Sequence, residues 1–367
     1  MAAVLATLMM TLAPTATASD PSLGLQSPFG KPGSVMIYPY VNTAEGRTLV
    51  TITNTNGSHV YCGEGVPDIF EGTIRVKLVY VFPEEGPGGQ IVCSLEDRIL
   101  VLTPNDTISF FADDLFEDDQ EGWLIVAAIS ALDVEVGDVS EPRLVDYDYL
   151  IGSAQVYVSA ADYVWAYDAF TFRAYPQRVQ GDAVDPMDSC GHLIVGENDT
   201  ISFDNDEYDA FPLLQVIPQF FQQGTGGGAH DDFSNFLAVA STQIEGQSQI
   251  NVKYFNNSED MFSEEFMLNC FRAGDLVGEF EIFVDDFEFD GVIEPTDDPD
   301  EVPYSGWMLF YPTGRWDDYD TPGILSVFGQ ANSGVWYSGA NNWRGPLIVE
   351  TMMPRFAQFW LDLNGAE

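Results

Sequence analysis

The sequence predicts an all-β protein built as two immunoglobulin-like antiparallel β-sandwiches in tandem. Three observations predict it. Apolar residues alternate with polar ones over many short runs, which is the period of a strand with one buried face. Turn formers punctuate those runs. No long stretch places apolar residues at helical spacing.

The clearest strand is Thr73-Ile-Arg-Val-Lys-Leu-Val-Tyr-Val-Phe82, which puts Ile74, Val76, Leu78, Tyr80 and Phe82 on one face, with Arg75 and Lys77 starting the other. Residues 34–41, 48–53, 98–102, 107–111, 123–129 and 155–158 read the same way. Between them lie Asn54-Thr-Asn-Gly57, Glu84-Glu-Gly-Pro-Gly-Gly89 and Thr103-Pro-Asn-Asp106, all rich in turn residues. In the second half, 213–221, 236–242, 250–256, 264–271 and 279–284 are strands, and 307–311, 324–329 and 334–337 close the sheets.

A faint internal duplication supports two copies of one sandwich. Ile37-Tyr-Pro-Tyr40 resembles Val216-Ile-Pro-Gln219, and Ile74-Arg-Val-Lys77 resembles Ile250-Asn-Val-Lys253. The string Asn-Asp-Thr-Ile-Ser-Phe also occurs twice, at 105–110 and 198–203, but out of register with that alignment; it reads as chance or as a shared turn-plus-strand solution. The interval 177–208 is polar and acidic. The expected organisation is a signal peptide (1–18), a linker (19–32), a first sandwich (33–176), an acidic linker (177–208) and a second sandwich (209–367).

Several strings resemble an uncharacterised family of secreted bacterial β-sandwich proteins. They are Ser34-Val-Met-Ile-Tyr-Pro39, Val50-Thr-Ile-Thr-Asn-Thr-Asn56, Gly72-Thr-Ile-Arg-Val76, Leu102-Thr-Pro-Asn-Asp-Thr107, Glu121-Gly-Trp-Leu124 and Tyr149-Leu-Ile-Gly152. Phe203-Asp-Asn-Asp-Glu-Tyr208 and Leu268-Asn-Cys270 extend the likeness over residues 33–330. The resemblance implies a secreted β-rich protein and transfers no catalytic residue.

Charge excludes whole classes of function. Of 367 residues, 13 are Lys or Arg and 58 are Asp or Glu, for a net charge of -45. Such a surface repels nucleic acid, whose binding depends on phosphate neutralisation, and anionic membranes alike. With 46% hydrophobic and 13% aromatic residues, the chain has ample material for packed cores. The opening apolar run, followed by Pro14 and Ala16-Thr-Ala18, reads as a secretory signal cut after Ala18, although no basic residue precedes it. It is short for a membrane span, so the mature protein is expected outside the cell or at its surface, with no stable span.

Four cysteines, Cys62, Cys93, Cys190 and Cys270, lack metal-binding spacing. In an exported chain they read as two disulfides, with free thiols as the alternative. The preferred pairing is Cys62–Cys93 and Cys190–Cys270, one bridge within the first sandwich and one tying the acidic linker to the second.

Candidate chemistry is sparse. The most defined metal-like string carries Asp286, Glu288, Asp290, Glu294 and Asp297 with Gly291 at the turn, an oxygen-rich spacing suited to calcium, the one cofactor the sequence suggests. Period two gives the competing reading, the wet face of a strand whose Phe287 and Phe289 pack inward. Asp204, Asp206 and Asp209, and Asp113, Asp114, Glu117, Asp118 and Asp119, are weaker clusters. Of the histidines His59, His192 and His230, the last adjoins Asp231, Asp232 and Ser234 after a glycine run, but no GxSxG elbow or phosphate-binding motif is present. Trp316, Trp336 and Trp343, with Tyr337, could form stacking platforms for sugars; the competing reading places them in a core or interface.

The expected function is therefore that of a secreted, non-enzymatic structural or interaction protein. Its partners would be copies of itself, joined through sheet edges, or other extracellular proteins. A polysaccharide-binding module is the alternative, and a glycoside hydrolase comes third.

Overall fold

A computed structural model describes residues 31–62 (without 45–46), 69–175 (without 118, 137–138 and 159–162), 187–221 (without 196–199 and 213), 233–276 (without 245 and 257–260), 279–280, 305–314, 322–332, 335–337 and 357–360. The strands are β1 (Val35–Asn42), β2 (Thr48–Asn54), β3 (Ile74–Glu85), β4 (Ile91–Leu102), β5 (Thr107–Phe111), β6 (Glu121–Ile129), β7 (Val134–Val136), β8 (Val139–Glu141), β9 (Leu150–Val158), β10 (Tyr163–Asp168) and β11 (Phe170–Phe172). They continue as β12 (Thr200–Phe203), β13 (Gln215–Phe221), β14 (Phe233–Ser241), β15 (Ser248–Asn256), β16 (Met261–Leu268), β17 (Phe271–Asp275), β18 (Ser305–Pro312), β19 (Ile324–Asn332), β20 (Val335–Tyr337) and β21 (Ala357–Trp360). Helical structure among the described residues is one short 3-10 turn, Ala112–Asp114, and no helix there is long and apolar enough to cross a membrane.

Residues 34–172 form one sandwich. Its sheets have the orders β11-β1-β6-β3-β4 and β10-β9-β2-β5. The alternation read from the sequence does the work: Ile74, Val76, Leu78 and Tyr80 of β3 are fully buried, as are Val50 and Ile52 of β2. Tyr38 on β1 crosses the gap and donates from its hydroxyl to the Thr51 carbonyl at 2.9 Å. Gly88 and Gly89 hold positive φ in the β3–β4 turn, and Asn105 does so between β4 and β5, as the turn residues anticipate. The central pairings β2–β5 and β3–β6 are those of strands B–E and C–F in an immunoglobulin domain. The flanking strands sit differently, with β1 beside β6 and β9 beside β2.

The second sandwich repeats this order strand for strand. Its sheets are β13-β18-β15-β16 and β17-β14-β19-β20, with β13 to β18 in the places of β1 to β6, and β19 and β20 in those of β9 and β10. Even the irregularities recur. The β1–β6 register slips between Tyr38 and Val41, around Pro39, and the β13–β18 register slips between Ile217 and Phe220, around Pro218. A proline, lacking an N–H, is at home in such a bulge. Opposite each bulge stands a Gly-Trp pair, Gly122-Trp123 and Gly306-Trp307. One alignment made from the sequence needs correction. Trp123 pairs with Val81 and Trp307 with Phe255, so Lys77 corresponds to Asn251 and not to Lys253. A slip of two residues keeps every side chain on its face, so alternation alone could not detect it.

The two sandwiches are stacked face to face. The outer face of the β1-β6-β3 sheet is covered by the β17-β14-β19 sheet, and one continuous apolar cluster runs through Val79, Val81, Ile125 and Ala127 to Ala238, Ala240, Phe271, Leu325 and Val327. Tyr40 bridges the layers, with ring centroids 5.0 Å from Phe236 and 6.2 Å from Phe271. Along β14 the side chains alternate between two cores: Ala238 and Ala240 face the first sandwich, whereas Leu237 and Val239 belong to the separate core of the second. The stack overturns the expectation that β3 has a wet face. Lys77 is fully buried and is ion-paired with Asp97 on β4; a buried charge is tolerable only with such a partner.

Two further expectations change. The preferred disulfides do not form; the bridges are Cys62–Cys190 (Cα–Cα 4.4 Å) and Cys93–Cys270 (5.9 Å). Cys93 lies on the face of β4 that looks toward the second sandwich, which places it beside Cys270 and away from Cys62. The acidic interval 177–208 is no free connector where it is described. Val195, Ile201, Phe203 and Tyr208 are buried in the first core, and Phe203 packs on Phe172 with centroids 4.8 Å apart. Strand β12 carries the second copy of the repeated hexapeptide and pairs with β21 near the chain's end, outside the duplicated plan. Of the strand expected at 279–284, the two described residues lie in a turn.

Candidate functional site

The sites singled out in the sequence fall unevenly on this frame. Asp286, Glu288, Asp290, Glu294 and Asp297 lie outside the described residues, as do Trp316, Trp343 and His230. Trp336 sits on β20, opposite Ala331 of β19. Asp204 closes a local turn, its carboxylate accepting from the amides of Asp206 (2.8 Å) and Glu207 (2.9 Å). Asp209 turns away from that group to hold Arg173 and Tyr175, the latter at 2.6 Å.

His192, Asp188 and Cys190 come together in a small knot, a spacing that would suit a metal. Cys190, however, is bonded to Cys62 and offers no thiolate. Both ring nitrogens of His192 are engaged, Nδ1 with Asp188 at 3.0 Å and Nε2 with the Glu71 carbonyl at 2.8 Å. Burial lowers the histidine's pKa, but the bonds to Asp188 and Glu71 outweigh it and leave it raised. The group pins the 187–193 turn to the first sandwich. Asp148 lies nearby, its carboxylate accepting from Ser34 Oγ at 2.8 Å and the Ala174 amide at 3.0 Å. Burial pushes it up to about 7, with Asp146 and Asp209 adding to the rise. These polar groups are consumed in holding the fold.

Among the described residues, a distinct exposed surface is the outer face of the last sheet in the stack. Its strands present Asn251, Lys253 and Phe255 from β15, Met261, Ser263 and Glu265 from β16, and Trp307, Leu309 and Tyr311 from β18, all on one side by register. Phe255 and Trp307 stack with centroids 4.0 Å apart and planes 7° from parallel. Trp307 keeps 38% of its surface exposed and Met261 59%. Beside the rings lies a shallow depression of about 240 Å³, lined by Asn251, Lys253, Ser263, Glu265 and Tyr311. Its polar groups are oriented: Asn251 Nδ2 donates to Thr313 Oγ1 at 2.6 Å, and Gln249 Nε2 donates to Glu265.

The duplication shows what is particular about this face. Its counterpart in the first sandwich, with Trp123, Val81 and Val79, is buried against the second. At the opposite end of the stack, the positions matching buried Ala238, Ala240 and Val327 and half-buried Ala273 are Thr51, Thr53, Ser153 and Ser109. Thr51 and Thr53 are hydrogen-bonded to Ser109 and Thr107, both at 3.0 Å. That far face mixes these hydroxyls with the exposed side chains of Phe111, Ile151 and Tyr157, whereas the last sheet carries the parallel Phe255–Trp307 stack with a polar depression beside it. The sequence signal for it was the recurring Gly-Trp dipeptide, which marks Trp307 as the exposed twin of a core residue. No known protein-family model and no curated protein matches the chain.

Proposed function

We propose that the protein is a non-enzymatic extracellular interaction protein, a rigid four-layer β stack that presents the Trp307 face to a partner. The single observation that carries this reading is the exposure of Trp307, stacked on Phe255, at the position where its counterpart Trp123 is buried between the sandwiches. An exposed aromatic patch rimmed by polar groups is the usual mark of a recognition surface. Two disulfides fit an oxidising, extracellular setting. The face is favoured over the sheet edges expected from the sequence, because edge strands β4 and β16 carry charges at mid-length (Glu96, Asp97 and Arg98, and Glu264 and Glu265) and edge strand β13 carries Pro218. Charged edges resist strand addition.

Covalent surface footprinting tests this, comparing the purified protein with the protein in the extracellular material of its source cells. Protection of Trp307 and Met261 in that material, with Tyr157 at the far end unchanged, is the expected result. Equal labelling of all three in both settings would refute the reading.

A further inference from the structure

We infer that the partner of the Trp307 face is a neutral polysaccharide; the inference rests on the reading above and gives it a ligand class. The argument begins with what the duplication changed. Going from the buried face of the first sandwich to its exposed twin, Val79 becomes Lys253, Lys77 becomes Asn251 and Ala127 becomes Tyr311, while Trp123 persists as Trp307 and Val81 becomes Phe255. Three aliphatic side chains have given way to two rings and an ammonium group, a lysine has given way to an amide, and Ile125 persists as an aliphatic Leu309. A dry protein–protein core would want the reverse, apolar area with charged groups depleted. A sugar needs both: its C–H face packs on an aromatic ring, and its hydroxyls must each find a donor or acceptor once water is displaced.

The geometry fits a chain of sugar units. From Phe255 to Asn251 the strip runs about 13 Å, at roughly 3.3 Å per strand residue. It leads from the Phe255–Trp307 stack to the depression of about 240 Å³, below the roughly 300–1,000 Å³ of pockets that enclose a small molecule whole. It would seat one sugar unit while the rest of the chain lies along the open face. Amide, ammonium, hydroxyl and carboxylate groups converge there from Asn251, Lys253, Ser263 and Glu265, so donors and acceptors are mixed, as hydroxyls require. Charge selects the glycan. A net charge of -45 repels sulfated and uronic-acid polymers, which leaves the neutral ones.

The test is retention of the intact disulfide-bonded protein on cellulose, xylan, chitin and mannan in about 0.5 M NaCl, where ionic attraction is screened. Binding to at least one of them is expected, with no binding to heparin. Trp307→Ala and Asn251→Ala should each weaken it at least about tenfold, whereas Thr51→Ala on the far face should not change it. Melting curves show that each variant is folded, and the Asn251 variant stands in if the Trp307 variant is not. Retention on none of the four, or retention indifferent to both substitutions, overturns the inference. If no glycan binds yet Trp307 is protected in extracellular material, the ligand class falls and the interaction reading survives. Protection of Trp307 that rises with protein concentration alone assigns the face to a second copy, and likewise overturns it.

Discussion

At the scale of single residues, the fold depends on a few positions where nothing larger or more charged will do. Gly122 is one. A Cβ there would lie 2.2 Å from the Val81 carbonyl oxygen, a backbone atom that cannot move aside. Gly122→Ala should therefore cost more than the ~1–3 kcal/mol typical of overpacking, read as a fall in the denaturant midpoint. Asp148 is another. Its folded pKa, about 7, lies above the roughly 3.9 of an unfolded aspartate. The folded state thus holds the proton more tightly, and the contribution of Asp148 to stability is fully present below about pH 4 and lost as pH rises through about 7. Asp148→Asn keeps an oxygen to accept from Ser34 and Ala174 but carries no charge. We expect it to raise stability at pH 8 by about 1–3 kcal/mol, below the ceiling of ~1.4 kcal/mol per pKa unit, and to flatten the pH dependence between about 4 and 7. A variant with the wild-type slope would show that Asp148 is not the titrating group. Neither role was legible in the sequence. Asp148 is one of 58 acids, and only the packing of residues far along the chain sets it apart.

At the scale of elements, legibility followed period two. Strands β1, β2, β3, β5, β15 and β18 were read nearly to their ends because each turns an apolar face inward, and β6 because its apolar run is unbroken. Strands β7, β8, β10, β11, β17 and β21 were missed, and β12 was met only within the repeated hexapeptide. Residues 170–172 are buried throughout, so no alternation marks them, and β12 and β21 pair with each other at long range, Thr200 with Trp360. The cysteine pairing was misread for a related reason. Assignment to the same expected sandwich favoured Cys62–Cys93, whereas the side of the sheet that Cys93 faces decided for Cys270. That bridge closes a loop with a sequence separation of 177 and fastens edge strand β4 to the second sandwich. Replacing both Cys93 and Cys270 with serine should lower the unfolding free energy by about 2–5 kcal/mol, and exchange of the β4 amides should accelerate more than that of the central strand β6. Uniform acceleration would mean that the bridge acts on the unfolded chain alone.

At the scale of the whole molecule, the sequence showed two sandwiches but not how they meet. Alternation reports that a strand has a buried face; it does not report that the other face is covered too. The clue lay in β6, Glu121-Gly-Trp-Leu-Ile-Val-Ala-Ala-Ile129, where apolar residues run on without alternating. Such a run marks a strand buried on both sides, and Trp123 to Ile129 are indeed all buried. The interface is made largely of small or aliphatic side chains, Ala127, Ala238, Ala240 and Val327 among them, and the Lys77–Asp97 pair is a local exception rather than a polar layer between the sheets. Interfaces of that kind couple domains, whereas polar ones let them move. The intact protein should therefore unfold in one cooperative transition. Ala238→Asp would place a carboxylate with no partner in that apolar layer, at a cost of several kcal/mol. Its neighbours Leu237 and Val239 belong to the second core, which the substitution leaves packed. The expected calorimetric outcome is that the single transition splits in two, with the second sandwich melting as its own unit and the Cys93–Cys270 bridge still tethering the halves. A single transition that merely shifts downward would mean that the second sandwich cannot stand without the first, and the duplication would then describe ancestry but not folding.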